Sequence, residues 1–410
     1  MQRVILHCDM NNCYASIEIK NNPKLKNTAL AVAGSIEERH GIILAKNEIA
    51  KKYGIKTGEV IWKAKLKCPN LVLVEPHYDE YLKHSRWAKN IYYKYTDRIE
   101  SFGIDECWLD VTESVKLFGD GEKIANLIRE EIKEKLKITI SVGVSYNKIF
   151  AKLASDLRKP DKVTVISKEN FKNIVWPLEI DKMIGIGKKT KEKLNRYGIE
   201  TLGQLANTDV DFLRSLLGVV GLYLYENARG NNNSRVLKFN ESLPIKSIGR
   251  SLTLKTDVLN NSQAKMVFAH LSQKVSHCLI ENNFVSTTIQ ITIRDNLLVS
   301  RNYQMTGFYP TFSSKELVFF AMKLLNENYN RKNPIRSIGL RAMDLLDARC
   351  IYQIDILNNL KRHQKNQNLE RAIYKIRKKY GNKAIFYASL LDNNHISKNE
   401  SSHVMPAFSY

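Results

Sequence analysis

Cysteine, proline and tryptophan are scarce in this 410-residue chain, at six, nine and four residues. The cysteines stand at positions 8, 13, 68, 107, 278 and 350, and no two form a CxxC pair. Neither a zinc module nor a disulfide framework is suggested, and reduced thiols in a cytoplasmic setting are the simplest reading. Long apolar runs are missing too: nothing approaches the ~18 residues of a membrane span. The apolar run in MQRVILHCDM is too short for a signal peptide, and Asp9 interrupts it. Acidic residues are the minority charge, 42 Asp and Glu against 64 Lys and Arg, for a formal net charge of +22. An excess of that size favours a polyanion as partner; the alternative is a merely soluble basic surface.

What is present is enough apolar residue for packed cores. Hydrophobic residues make up 43% and charged residues 26%, which argues against chain-wide disorder. The length suggests about two to four domains. Val4-Ile5-Leu6 predicts a buried strand ending near Asp9. From Glu37 to Pro69 the chain is polar, basic and interrupted by glycines at 41, 54 and 58. LVLVEP (71–76) reads as a strand, Tyr81 to Thr96 as a helix and Cys107 to Thr112 as a strand. Ile124, Leu127, Ile128, Ile132 and Leu136 line one face of a helix over Gly121 to Leu136. Ile138, Ile140, Val142 and Val144 alternate with Thr, Ser and Gly, a strand pattern. A helix from about Lys148 to Leu157 and a strand, VTVI (163–166), follow. The first 166 residues thus read as an antiparallel α+β sheet carrying one insertion, from about Met10 to Pro76.

Residues 168 to about 230 read as helical with glycine punctuation, and NNNSR (231–235) as a linker. From about Ser247 the pattern restarts as strand, helix, strand, strand, helix, strand. This second α+β unit carries Arg250, Arg294, Arg301, Arg336 and Arg341. Beyond Asp347 lies a charged tail, with one helix candidate that places Leu369, Ala372, Ile373 and Ile376 on one face.

Three carboxylates are the candidates to carry chemistry. SFGIDECWLD (101–110) sets Asp105 beside Glu106 at the mouth of a strand, and Asp9 ends the first strand. Successive strand residues point to opposite faces, so the pair converges only if the strand is just beginning or bent, which Gly103 allows. If the two strands are neighbours, three acids meet at one sheet edge. Their repulsion then calls for a cation, and hard oxygen ligands suit Mg²⁺. Two such ions can stabilise the attacking and leaving oxygens of a phosphoryl displacement. The spacing leaves the alternative of ordinary solvated strand-end acids open.

DMNNCYASIE (9–18), SFGIDECWLD (101–110), SVGVSYNKIFAKLASDLRKPD (141–161) and IGIGKKTKEKLNRYGIETLGQLA (184–206) occur in an order and separation that resemble the Y-family DNA polymerases. The resemblance covers about residues 1–345, with a weaker match in the tail. It implies an α+β, right-hand polymerase. The palm would be 1–10 with 77–166, the short fingers 11–76 and the helical thumb 167–230. A linker (231–243), an α+β little finger (244–346) and a tail (347–410) would follow. By resemblance Asp9, Asp105, Glu106 and the Met10 carbonyl hold two Mg²⁺ ions, with the three acids catalytic. Tyr14 matches the aromatic gate under the sugar of the incoming deoxynucleoside triphosphate, and Lys159 matches a triphosphate contact. Lys152, about two turns earlier, reads as a supporting or DNA-facing charge.

Some residues depart from the family pattern. Glu48 and Lys51 stand where relatives often have the tyrosine and arginine that bind triphosphate. Lys51 still offers a charge, without arginine's bidentate fork. Asn12 and Cys13 replace aromatics, and Leu44 occupies a place near the templating base where small residues are frequent. IGIGKKTKEKL (184–194) resembles the helix–hairpin–helix of the family's thumb, in which Gly185 and Gly187 would let backbone N–H groups approach DNA phosphate, with Lys188, Lys189 and Lys191 adding charge. Ser247, Arg250, Arg294, Arg336 and Arg341 are the little-finger candidates for the DNA backbone. YQIDIL (352–357) resembles a sliding-clamp peptide, with Gln353, Ile356 and Leu357 as its anchors. The expected activity is template-directed, proofreading-free translesion DNA synthesis by a monomer on primer-template DNA. A DNA-binding scaffold would show no metal-dependent extension. A nucleotidyl cyclase would need neither the hairpin nor the arginine-rich unit.

Overall fold

Strand β1 (Ile5–Met10) is buried along its whole length. Apolar Leu6, Cys8 and Met10 alternate with His7 and Asp9, so both faces of the strand must be covered. The computed structural model that shows this describes residues 2–36, 39, 41–330, 332–349, 360–382, 384–385 and 387–388. Leu6, Cys8 and Met10 pack against Tyr81, Ala88, Ile124, Ile128 and Ile132 of helices Tyr78–Tyr92 and Gly121–Leu136. Ile5, on the other face, packs with Trp108 and with Ala151 of helix Lys148–Leu157.

The chain divides into two compact units, Met1–Ala33 with Ile42–Ser242, and Gly34–Gly41 with Leu243–Tyr410. In the first, a small sheet of β2 (Leu30–Ala33), β3 (Ile43–Lys46) and β4 (Val72–Val74) has the order β3-β2-β4. It is inserted in sequence ahead of β5 (Ile99–Phe102), β6 (Glu106–Asp110), β7 (Ile140–Ser145) and β8 (Val163–Ile166). With β1 these last four form a sheet of order β5-β6-β1-β7-β8.

The pairing is antiparallel except between β7 and β8, which run parallel. The sheet is therefore mixed, where the pattern alone reads as antiparallel. The reason is the helix between those strands: a crossover helix returns the chain to the same end and forces a parallel neighbour. That helix sits directly on β7. A Cβ on Gly143 would lie 1.9 Å from the Ala151 carbonyl oxygen, so only glycine fits.

Short helices from Phe171–Val175 to Val219–Ala228 close a separate core, with Val175, Ile180, Leu202 and Leu213 buried. They share that core with Ile149, Phe150 and Leu153, which fixes them to the helix behind β1.

The second unit is an antiparallel sheet of order β11-β10-β12-β9. Its strands are β9 (Ser247–Val258), β10 (Phe284–Asp295), β11 (Ser300–Thr311) and β12 (Ile335–Asp347). Helices Asn261–Glu281 and Ser314–Asn328 contribute Val267, Phe268, Leu271, Leu317 and Leu324 to its core.

The tail helix, Leu360–Tyr380, does not use the apolar face its spacing predicts. Ile373 is buried, but Leu369 and Ile376 are exposed. The buried residues are instead His363, Glu370 and Arg377. His363 Nδ1 lies 3.0 Å from Glu316 Oε2, Ser314 Oγ donates to Glu370 Oε2 at 2.6 Å, and Arg377 Nη2 donates to Gln273 Oε1. Buried polar groups are tolerated when partnered, and hydropathy spacing cannot see partners. Among the described residues no helix is long and apolar enough to cross a membrane.

Candidate active site

Asp9 and Glu106 stand directly opposite each other in the register of β1 and β6. Asp105 precedes β6 and is therefore free of the strand's alternation. Gly103, at φ +87°, makes the turn that places it there. The Asp105 carbonyl accepts a hydrogen bond from the Met10 amide at 3.1 Å, tying the turn to the end of β1. So the two adjacent acids share one site because one sits on a turn and the other on a strand. All three carboxylates line a cavity of about 320 Å³ together with Met10, Tyr14 and Lys159. A larger groove of about 930 Å³ lies in the second unit beside Val318, Phe319 and Met322 and holds none of the three acids.

The electrostatics are those of crowded, half-dry acids. Burial, partly opposed by Lys159, pushes Asp9 up to about 7. Burial and then the charge of Glu106 push Asp105 up to about 6. Burial would also raise Glu106, but its contacts with His7 and Lys152 outweigh it and bring it to about 2. Lys159 Nζ lies 2.6 Å from Asp9 Oδ2 and 2.7 Å from Asp156 Oδ1. Lys152 is ion-paired to Glu106 Oε2. Both lysines come from one stretch, helix Lys148–Leu157 and its C-terminal end, lying against the face of β1 that carries Asp9.

His7 was not among the residues expected from the sequence. It is fully buried, two positions before Asp9 and hence on the same strand face. Its Nε2 lies 3.1 Å from Glu106 Oε2 and its Nδ1 2.8 Å from Ser155 Oγ. Trp108 meets the ring edge-on at 5.3 Å. The imidazole thus braces one carboxylate against the helix behind the sheet. The signal was available: a polar residue in an apolar strand, in phase with a site acid.

Tyr14 stacks on Tyr81, with centroids 4.1 Å apart and an 8° interplanar angle. Its ring is therefore locked beside the cavity. From the inserted sheet, Leu44, Ala45 and Lys46 reach the same cavity, as does Thr57. Lys51 lies outside that lining; its Nζ is 3.7 Å from Glu48 Oε1, and Asn12 Nδ2 donates to the same oxygen at 2.9 Å.

The expected DNA contacts separate into groups. Gly185, at φ +97°, and Gly187, the N-cap of helix Lys188–Asn195, form the turn of a helical hairpin. Lys188 and Lys189 are exposed, Lys188 with Glu192 at 3.8 Å, and Lys191 is paired with Glu179 and Asp181 at 2.6 and 2.9 Å. Arg294 and Arg341 are exposed on the second unit's sheet, and Arg336 is half-buried. Arg250 shares the strand face of Ile248 and Leu252, and its guanidinium reaches Cys278 Sγ at 3.1 Å. Gln353, Ile356 and Leu357 lie outside the described residues.

Comparisons with known proteins fit this arrangement. The impB/mucB/samB family model matches residues 8–156, its C-terminal domain residues 245–356, and the IMS family HHH motif residues 168–199. A solved Y-family DNA polymerase chimera superposes with a TM-score of 0.74 at 27% identity, over 84% of this chain and 99% of that one. DNA polymerase IV of Acetivibrio thermocellus is 44% identical over 398 residues, 97% of this chain and 100% of that protein. The chain belongs to the Y-family DNA polymerases. DNA polymerase IV of Clostridium acetobutylicum, 33% identical over 96% of this chain, lies in the same family. This Y-family member is a DNA-directed DNA polymerase of the translesion class, with an α+β fold and a separate C-terminal domain.

Proposed function

We propose that Asp9, Asp105 and Glu106, with the Met10 carbonyl, hold two Mg²⁺ ions and join a deoxynucleotide to a primer 3′-hydroxyl with release of pyrophosphate. The observation that carries this reading is the cross-strand pair Asp9–Glu106 with Asp105 beside it, all facing one cavity. The donor set fits: two of the three carboxylates are held above their ordinary range by burial, so a divalent cation would relieve them. Bound ions would acidify the primer hydroxyl and balance the leaving pyrophosphate. The chain's own groups then have distinct tasks. Lys159 offers its ammonium to the triphosphate, and Lys152 keeps Glu106 ionised and placed. The locked Tyr14 ring excludes a 2′-hydroxyl. Gly185, Gly187, Lys188 and Lys189 grip DNA phosphates without reading sequence. Arg294, Arg341 and Arg336 follow the duplex backbone.

The palm, fingers, thumb and little finger correspond in this reading to the β1–β8 sheet, the inserted β2–β4 sheet, the helices over 171–228 and the β9–β12 unit. Low fidelity, absence of proofreading and bypass of damaged bases belong to the same proposal. So do a monomeric state, a sliding-clamp contact through Gln353, Ile356 and Leu357, and a cytoplasmic setting, to which the free thiols are suited.

Primer extension tests it. Wild type is expected to extend a primed template only with Mg²⁺, and Asp105→Ala to lose that activity. Extension by Asp105→Ala at the wild-type rate removes the metal role from this cluster. Misinsertion on undamaged template should be frequent; accuracy at the level of a proofreading enzyme contradicts the fidelity claim.

A further inference from the structure

The fingers of this polymerase present a cation to the nucleotide cavity from an unexpected position. Lys46 ends β3 and lines the cavity with Thr57, Leu44, Lys159 and the acids. Its Nζ donates to Thr57 Oγ1 at 3.1 Å, which holds the ammonium against the cavity wall. Lys51 does not line the cavity: its Nζ lies 3.7 Å from Glu48 Oε1, the oxygen to which Asn12 Nδ2 donates. The departures at positions 12, 48 and 51 therefore form one connected group in which Asn12 lines the cavity and Glu48 and Lys51 do not, leaving Lys46 as the inserted sheet's charge within it.

We propose that Lys46, steadied by Thr57, is the fingers' contact to the triphosphate of the incoming nucleotide, in the place expected of Lys51. The inference rests on the polymerase reading above and names a residue for it. The charge logic is direct. Asp9, Asp105 and Glu106 account for the anions of the cavity wall, and Lys159 and Lys152 already answer Asp9 and Glu106. Lys46 is bonded to a neutral hydroxyl instead, so its charge is available to a ligand anion. Burial, and then repulsion from Lys51, also lower its basicity, a cost that a phosphate would reverse. Lysine serves phosphate as a point charge and needs no fixed fork geometry, so a shift of five residues along the chain is chemically acceptable.

The test separates phosphate recognition from a structural role. Inhibition of primer extension by a non-hydrolysable deoxynucleoside triphosphate is compared with inhibition by the corresponding diphosphate, in wild type, Lys46→Ala, Lys46→Arg and Lys51→Ala. Lys46→Ala is expected to weaken triphosphate binding by about 10–100-fold and to narrow the triphosphate-over-diphosphate preference. Lys46→Arg should recover most of the loss, and Lys51→Ala should lose less than Lys46→Ala. Should Lys46→Ala fail to fold, Lys46→Gln, which keeps the Thr57 contact without the charge, gives the same reading. An unchanged preference in a folded, DNA-binding Lys46 variant overturns the assignment, as does a larger loss in Lys51→Ala. Absence of Mg²⁺-dependent extension by wild type overturns the polymerase reading and this one with it, whereas normal wild-type extension with an insensitive Lys46 overturns this one alone.

Discussion

Asp9 and Glu106 lie nearly a hundred residues apart in sequence and face each other across one strand pair, in register. Asp105 joins them from the turn, and the three acids are held together against their own repulsion. Such a cluster should lower stability in favour of function. Asp105 illustrates the sign: its carboxyl is raised from an ordinary 3.8 to about 6, by burial first and Glu106 second. The folded state therefore disfavours the anion, and this cost is fully present above pH 6 and gone below pH 4. Asp105→Asn is expected to lose activity on the order of 10³-fold. In chelator at pH 7.5 it should gain about 1–2 kcal/mol of stability, and the gain should fade as pH drops toward 4. Denaturant melts at the two pH values check it; a variant less stable than wild type at pH 7.5 contradicts the argument.

His7 holds Glu106 from behind, and Ser155 holds His7. His7→Ala is expected to raise the Mg²⁺ needed for half-maximal extension by about 10–100-fold, Ser155→Ala by less, and His7→Gln to recover part of the loss. A purely structural histidine would leave the Mg²⁺ titration where it was.

Tyr14 owes its fixed ring to the stack on Tyr81. Tyr14→Ala should reduce deoxynucleotide-over-ribonucleotide selectivity on the order of 100-fold, while Tyr14→Phe keeps it, since bulk and not the hydroxyl acts. Single-nucleotide incorporation with matched sugars measures the ratio. Equal selectivity in Tyr14→Ala and wild type would remove the gate role.

The arginines of the second unit should not behave alike. Arg294 and Arg341 are exposed, so replacing either by alanine should weaken DNA binding and lower the slope of log affinity against log salt by about one. Arg250 donates to the Gly249 carbonyl at 2.8 Å and reaches Cys278. Arg250→Ala is expected to leave the slope alone and to cost about 1–2 kcal/mol of stability. Salt titrations of DNA binding decide between the two groups, and a slope that falls with Arg250→Ala would return that residue to the DNA surface.

Acid should loosen the tail helix. Arg377 Nη1 lies 3.2 Å from His277 Nε2, which must therefore be unprotonated. Burial, and then Arg377, lower His277 from an ordinary 6.5 to about 4. The unfolded chain binds the proton first, so stability present above pH 6.5 is lost as pH falls toward 4. Between pH 7 and 5 the loss should reach about 1 kcal/mol, discounted for the half-exposed ring, and His277→Gln should abolish it. Thermal melts of both proteins at the two pH values provide the check, and a pH response identical in both would rule out His277 as its source.

Local pattern told much of this from residues alone. Helices Gly121–Leu136 and Lys148–Leu157 and strand Val163–Ile166 are legible because their apolar periods are strong and their neighbours break them cleanly. The three acids were legible as candidates because they stand in ordered motifs that resemble a polymerase family; their spacing alone left solvated strand-end acids open. What spacing could not supply was direction and partnership. Whether β8 runs with or against β7 depends on the helix between them, and whether a helix face buries Leu369 or Arg377 depends on what lies opposite.

The sequence by itself determined the chemistry available: three carboxylates, a gate-sized ring, a surplus of base and the strands to carry them. Only the tertiary structure decided which charges meet. Register across β1 and β6 pairs Asp9 with Glu106, His7 reaches Glu106 because strand residues two apart share a face, and Lys46 lines the cavity while Lys51 lies outside it beside Glu48. Each of these is a through-space electrostatic relation, steep in distance, and chain order does not set distance.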